Sequence, residues 1–292
     1  MTADAVFSPD FVAQLAHADV KRALQEDVGT ADLTAALIDP SVRTVARVIA
    51  RESAVICGGP WVQATVAQTD PDAELIWHVL DGQRCQPDQL VLEIRGQARA
   101  LLTAERTLLN FLQLLSAVAS KTQEFVSAVA EVPGAQAQIV DTRKTLPGLR
   151  LAQKYAVAIG GGTNHRLGLF DAVLIKENHI AAAGGVTAVL SQAGKVAPNA
   201  KFVEIEVETL SQLEEALAAG ASMVLLDNMS LTQLQQAVQL NAGQAILEVS
   251  GGVNLDTVRA IAATGVDRIS IGTLTKDVQA VDFSMRFASS PL

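Results

Sequence analysis

Residues 201–227 read KFVEIEVETLSQLEEALAAGASMVLLD. The opening residues alternate: Val203, Ile205 and Val207 fall on one face of an extended strand, and Glu204, Glu206 and Glu208 on the other. The period then changes. Leu210–Ala219 spaces its apolar residues as a helix does, and Met223–Leu226 is again an apolar run of strand length. The same cycle recurs on both sides. Short strands are predicted at Ala137–Val140, Ala172–Ile175, Phe202–Val207, Met223–Leu226, Ala245–Val249 and Arg268–Ile271. Helical segments such as Leu231–Leu240 and Asp256–Ala263 separate most of them, and the last four strands start 21 to 23 residues apart. Repeated βα units imply a parallel sheet. Six in succession favour a closed or nearly closed α/β barrel, with a doubly wound sheet as the alternative.

Polar residues gather where these strands end. The six ends carry Asp141-Thr142-Arg143-Lys144, Lys176-Glu177-Asn178-His179, Glu206 and Glu208, Asp227-Asn228, Ser250-Gly251-Gly252, and Gly272-Thr273. In α/β barrels the C-terminal strand ends form the active site, so these groups are expected to converge on one mouth. The Glu face of Phe202–Val207 would then point inward. An unpaired carboxylate there is costly, and cations or a metal are the expected compensation; a solvated edge strand is the alternative. The glycines of Ser250-Gly251-Gly252 and Gly272 suit backbone N–H groups facing a phosphate, although such a tripeptide is also a common turn.

The segment Asp141–Ile180 runs against the charge of the chain. It holds Arg143, Lys144, Arg150, Lys154, Arg166 and Lys176 against Asp141, Asp171 and Glu177, while the whole chain carries a formal net charge of −9. Cations placed among Pro147-Gly148 and Gly160-Gly161-Gly162 read as a pocket for a small, highly anionic ligand, because glycine lets a ligand approach the backbone and arginine offers a two-pronged donor for carboxylate or phosphate. A solvated basic face is the alternative. His165 fits as one donor among these cations. Arg106, with Glu105, is expected in the first turn of a long helix over Thr103–Val132, with Thr103 as its N-cap; a cation there opposes the helix dipole, which either Glu105 offsets locally or a ligand-facing role explains.

The acidic balance argues against nucleic acid as a partner. There is no basic segment followed by an apolar one at the N-terminus and no 18-residue apolar run, so neither a signal peptide nor a membrane span is expected, and the cytoplasm is the default. Cys57 and Cys85 form no metal-type cluster. Residues 1 to about 102 read as one unit. A helix is expected at Phe11–Gln25, a loop at Glu26–Thr34, and strands at Val45–Ile56, Leu75–Leu80 and Leu90–Ile94.

Seven segments together resemble the quinolinate phosphoribosyltransferases: Glu105–Leu112, Asp141–Arg150, Gly160–Arg166, Leu174–Ile180, Leu226–Asn228, Glu248–Gly252 and Ile269–Thr275. Family members often have glycine where this chain has Ala31, just before Asp32. The resemblance implies an incomplete α/β barrel with an N-terminal mixed α/β sandwich domain. It places the sandwich at 1–115, joined by the C-terminal tail 276–292, and the barrel at 116–275. It implies decarboxylating transfer of phosphoribose from phosphoribosyl pyrophosphate to quinolinate, with Mg2+, in a homodimer whose active site is shared across the interface. Arg143, Arg166 and Lys176 would hold the carboxylates of quinolinate, with Thr142 and His165 nearby. Lys144, Ser250, Gly251, Gly252 and Gly272 would hold phosphates, and Ile271 would also belong to the substrate-binding set. Glu206, Asp227 and Asn228 would lie at the ribose, with Glu206 and Asp227 on the magnesium, and Arg106 would enter from the partner subunit. Lys144, Glu206 and Asp227 would be the catalytic set.

Overall fold

The structure is a computed structural model that describes residues 7–288. In chain order its elements begin with α1 (Pro9–Val28), β1 (Arg43–Ala50), β2 (Ala54–Val55), α2 (Gly59–Thr69), β3 (Glu74–Trp77), β4 (Arg84–Cys85), β5 (Leu90–Gln97) and α3 (Ala98–Ala130). There follow β6 (Gln138–Val140), α4 (Arg150–Ile159), β7 (Val173–Ile175), α5 (Glu177–Ala183), α6 (Val186–Val196), β8 (Val203–Val207), α7 (Leu210–Ala218) and β9 (Met223–Asp227). The chain ends through α8 (Leu231–Asn241), β10 (Ile246–Ser250), α9 (Leu255–Ala262), β11 (Arg268–Ser270), α10 (Thr273–Lys276) and β12 (Phe283–Phe287). Contacts divide it into two units. One takes the chain up to Gln123, Leu146–Gly161 and the chain from Asp277; the other takes Glu124–Thr145 and Gly162–Lys276. The division therefore runs inside α3 and assigns α4 to the first unit, whereas the resemblance implied domains of 1–115 with 276–292 and of 116–275.

The first unit is built on an antiparallel sheet in the order β12-β1-β5-β3. The C-terminal strand closes one edge, with Val48 opposite Met285. Inward residues of the sheet, Val48, Leu92 and Ile94, share one buried cluster with Leu101, Leu108 and Leu112 of α3. A half-apolar sheet face covered by an apolar helix stripe is the ordinary way such layers are held. The strand expected over Val45–Ile56 is interrupted by a bend at 51–53, so that it forms β1 and the short β2. The expected loop at Glu26–Thr34 is helical as far as Val28. Asp32 beyond it organises the next turn, accepting from Thr34 N (3.0 Å), Ala35 N (2.9 Å) and Thr103 Oγ1 (2.8 Å).

Helix α3 starts at Ala98, five residues before the expected cap. Thr103 lies inside it, and its hydroxyl also donates to Arg99 O. This removes the dipole argument for Arg106, which now sits in the third turn, beyond the reach of the N-terminal partial charge. Helix α4 is absent from the sequence reading because its basic residues, Arg150 and Lys154, looked like loop cations; Lys154 is in fact wholly buried. At its end Gly160 approaches α3. A Cβ there would lie 2.4 Å from Ala119 O and 2.8 Å from Thr122 Cβ, so this glycine serves helix packing rather than ligand approach.

The second unit carries a six-stranded sheet, all of whose pairings are parallel, in the order β6-β11-β10-β9-β8-β7. The two end strands β6 and β7 do not pair, so the barrel is incomplete. Register fixes which side chains share the inner face: Leu174 opposes Glu204, Glu206 and Glu248 both oppose Leu225, Glu248 opposes Arg268, and Ser250 opposes Asp227. Helices start on side-chain caps, with capping boxes at Thr209 with Gln212 and at Ser230 with Gln233. No helix of the described residues is long and apolar enough to cross a membrane.

Gly160→Ala is expected to destabilise the protein by about 1–3 kcal/mol through overpacking against the α3 backbone. Gly194→Ala, on α6 with open space around it, is expected to be neutral or to stabilise by up to about 1 kcal/mol. Urea midpoints of the two variants should move in opposite directions.

Candidate active site

The strand ends of the second unit frame a cavity of about 240 Å³. Thr142 follows β6, Leu174 and Lys176 come from β7 and its end, Glu206 from β8, Leu225 from β9, Ser250 from β10 and Ser270 from β11. These residues share the inward parity of their strands, as an every-second-residue repeat requires. The loops add Arg143, Lys144, His165 and Arg166. Four cations therefore line one small space. Burial and, next to it, the charge of Arg143 make the Arg166 guanidinium less comfortable with its charge than usual. An anion between two such groups removes that repulsion and is the natural occupant.

Lys176 Nζ lies 2.7 Å from Glu206 Oε2, which ties the cationic wall to the one carboxylate lining the cavity. Asp227 and Asn228 stand at the next strand end. Asn228 takes a left-handed conformation (φ 55°), donates its side-chain amide to Asp227 Oδ2 at 2.7 Å, and its backbone N–H donates to Ser250 O at 2.9 Å. This turn presses on the glycine loop: a Cβ at Gly251 (φ 107°) would meet Asn228 Oδ1 at 2.1 Å, while Gly252 (φ 60°) has open space. Gly272 stands beside Lys144, whose Cδ would lie 3.1 Å from a Cβ added there. Thr142 Oγ1 accepts from Lys144 N at 3.0 Å, and Ile271 N donates to Val140 O at 2.9 Å. The structure thus brings together Thr142, Arg143, Lys144, His165, Arg166, Lys176, Glu206, Asp227, Asn228, Ser250, Gly251, Gly252, Ile271 and Gly272 on adjoining strand ends. Arg106 is exposed in the first unit and lines a different hollow with Glu26, Asp27 and Asn110.

Beneath the cavity lies a buried ionic layer that the choice of site residues left out. Glu204 and Glu248 are fully buried. His165 Nε2 stands 2.8 Å from Glu204 Oε2 and 3.5 Å from Glu248 Oε1. Arg268 Nε donates to Glu248 Oε2 at 2.7 Å, and Ser270 Oγ donates to the other oxygen. Asp141, also buried, holds the chain on either side of this point, accepting from His165 N at 2.8 Å and from Asn164 Nδ2 at 2.7 Å. Burial raises both Glu204, to about 7, and Glu248, whose neighbour Glu204 pushes it further. The inward Glu face and its need for cations were legible in the alternation of β8. Arg268 and Ser270 were overlooked, although the same alternation along β11 puts them on the inner face.

The comparisons cover the segments that carry this site. Residues 32–116 match the N-terminal domain, and residues 118–286 the C-terminal domain, of the family described as quinolinate phosphoribosyl transferase. The chain belongs to the quinolinate phosphoribosyltransferase family. A Mycobacterium leprae protein described as nicotinate-nucleotide pyrophosphorylase (carboxylating) is 41% identical over 276 residues, spanning 91% of this chain and 95% of the relative. A Bacillus subtilis protein described as a probable enzyme of the same name is 38% identical over 273 residues, spanning 92% and 93%. The structure of the nicotinate-nucleotide pyrophosphorylase from Francisella tularensis superposes with a TM-score of 0.90 at 42% identity, covering 94% of this chain and 97% of that one. Both domains of the family are therefore present in one chain, in the order that the segments quoted from the sequence predicted.

The Glu204 carboxyl keeps its proton to about pH 7 in the folded chain, against an ordinary value of 4.5. Between those values the folded state binds more protons than the unfolded one. Its contribution is complete below about pH 4.5 and is lost as the pH rises through 7, a change on the order of 3 kcal/mol. Urea unfolding measured from pH 4.5 to 8 should show this loss in the wild-type protein, and Glu204→Gln should flatten it.

Proposed function

We propose that the chain transfers the phosphoribosyl group of phosphoribosyl pyrophosphate to quinolinate, releasing pyrophosphate and CO2 and giving nicotinate mononucleotide, a step of NAD biosynthesis. The observation that carries this reading is the small cavity lined by Arg143, Lys144, Arg166 and Lys176 in a chain that the family matches across both domains. A dicarboxylate and a pyrophosphate repel each other strongly, and a wall of cations lowers the cost of holding them together. Arg143, Arg166 and Lys176 take the carboxylates. Lys144, beside Gly272, and the glycine loop at Ser250–Gly252, which has open space at Gly252, take phosphate oxygens. The pyridine nitrogen attacks the anomeric carbon while the bond to pyrophosphate breaks, and positive charge grows on the ribose. The carboxylates of Glu206 and Asp227 are placed at adjacent strand ends to stabilise it. Once the ring nitrogen is alkylated, the 2-carboxylate leaves as CO2. The pyridinium accepts the electron pair, and a proton then replaces the lost group at that carbon. The site positions the ring and excludes water for that step.

Glu206 and Asp227 also fit a magnesium ion, being hard oxygen donors at neighbouring strand ends near the groups assigned to phosphate. When bound, the ion would neutralise pyrophosphate oxygens. Arg106, exposed and on the first unit, is assigned to the partner's site in a two-fold homodimer. The reading is tested by supplying quinolinate, phosphoribosyl pyrophosphate and Mg2+ and detecting nicotinate mononucleotide, with nicotinate as the control substrate. No product from quinolinate would end it.

Arg143→Ala should weaken quinolinate binding by about 2 kcal/mol or more, roughly 30-fold, and phosphoribosyl pyrophosphate binding much less, as read by calorimetry. Asp227→Asn should lower kcat by about 10²–10³ with the fold intact, as read by circular dichroism beside the assay. Arg106→Ala and Lys144→Ala homodimers should each be nearly inactive. A subunit-exchanged mixture should regain activity, because one site of each mixed dimer carries both lesions and the other carries neither. A mixture that exchanges subunits yet stays silent places Arg106 in its own subunit's site.

A further inference from the structure

His165 borders the cavity, yet both of its ring nitrogens point at protein. The backbone N–H of Arg166 donates to Nδ1 at 2.8 Å. A nitrogen that accepts a hydrogen bond carries no proton, so the ring is neutral and its hydrogen sits on Nε2. That hydrogen faces Glu204 Oε2 at 2.8 Å, with Glu248 Oε1 at 3.5 Å on the same side. A third contact fixes the plane of the ring: Phe202 meets it edge-on, with centroids 5.2 Å apart at 88°. The residue that accepts from His165, Glu204, is fully buried in β8.

His165, Glu204 and Glu248 also have the composition of a metal site, with ligand atoms within 4.8 Å of one another. The geometry speaks against that use. A metal on Nε2 would require the proton on Nδ1, where the Arg166 N–H already points, and the guanidinium of Arg268 stands against Glu248 in the place of a cation.

We propose that Glu204 holds His165 as a neutral Nε2–H imidazole, and that His165 acts as a positioning residue that fixes the Arg166 backbone instead of donating to the substrate. The consequence is one of aim. Arg166 leaves the ring by a single peptide unit, so the orientation of the imidazole sets where the guanidinium enters the cavity. A neutral ring also adds no repulsion to Arg143 and Arg166, and leaves those cations to the dicarboxylate. The inference rests on the function proposed above for its kinetic arm, and on the ring geometry alone for its spectroscopic arm.

The test is 15N–1H correlation of the histidine rings at about pH 6, where an unperturbed imidazole is largely protonated. The His165 signals are assigned by their absence in His165→Gln. The expected pattern is a neutral ring with hydrogen on Nε2, unchanged when quinolinate is added alone. An imidazolium, an Nδ1–H pattern, or conversion to imidazolium on adding quinolinate would overturn the proposal. In the assay Glu204→Leu should raise KM for quinolinate by roughly tenfold, the worth of one lost hydrogen bond, with KM for phosphoribosyl pyrophosphate little changed. Glu204→Gln keeps an acceptor oxygen and should restore KM to within about threefold. An unaltered KM in Glu204→Leu also overturns it. If that variant does not fold, the wild-type spectrum decides by itself. A protein inactive towards quinolinate would refute the function while the spectrum still reports the ring.

Discussion

Two carboxylates buried inside a parallel sheet set the terms for everything around them. Glu204 and Glu248 have no access to solvent, and a charge so placed costs several kcal/mol unless hydrogen bonds and opposite charges surround it. The structure answers with Arg268 and Ser270 on one side of Glu248 and His165 on the other side, against Glu204. The compensation is partial. Burial still raises both carboxyls, and one oxygen of Glu204 and one nitrogen of Arg268 lack a hydrogen-bond partner.

That layer is a floor for the cavity above it. Parity along the strands does the placing. Glu206 follows Glu204 by two residues, Ser250 follows Glu248, and Ser270 follows Arg268, so each buried group is continued by one that faces the ligand space. Stability and chemistry are separated by a single step along each strand. The lower step is paired within the protein. The upper step presents Lys176, Glu206 and Ser250 to the cavity, while the loops bring in Arg143, Lys144 and Arg166.

The features legible in the sequence were those with a short repeat. The six parallel strands and the three helices between the last four of them were predicted to within two residues at their ends, because these βα units carry their own period and their own caps. Features that depend on the packing of distant segments were misread. Helix α4 looked like a basic loop, since a fully buried Lys154 contradicts what its residue type suggests. Gly160 looked like a ligand contact, and its real neighbour is the backbone of α3, some forty residues earlier. The dipole argument for Arg106 failed because α3 extends through Ala98 without a side-chain cap to announce its start.

By itself the sequence determined the parallel α/β class, the polar strand ends that line one cavity, and the basic segment that suits a highly anionic ligand, because alternation, helical period and net charge are local properties. Its assembled motifs also pointed to the family that the comparisons bear out. The tertiary structure alone decided which inward residues meet. Register across neighbouring strands sets Glu248 against Arg268, and a loop carries His165 to Glu204, thirty-nine positions further along the chain. Such pairings are long-range hydrogen bonds made only when the sheet closes around them, and no local pattern encodes which partner each buried charge will find.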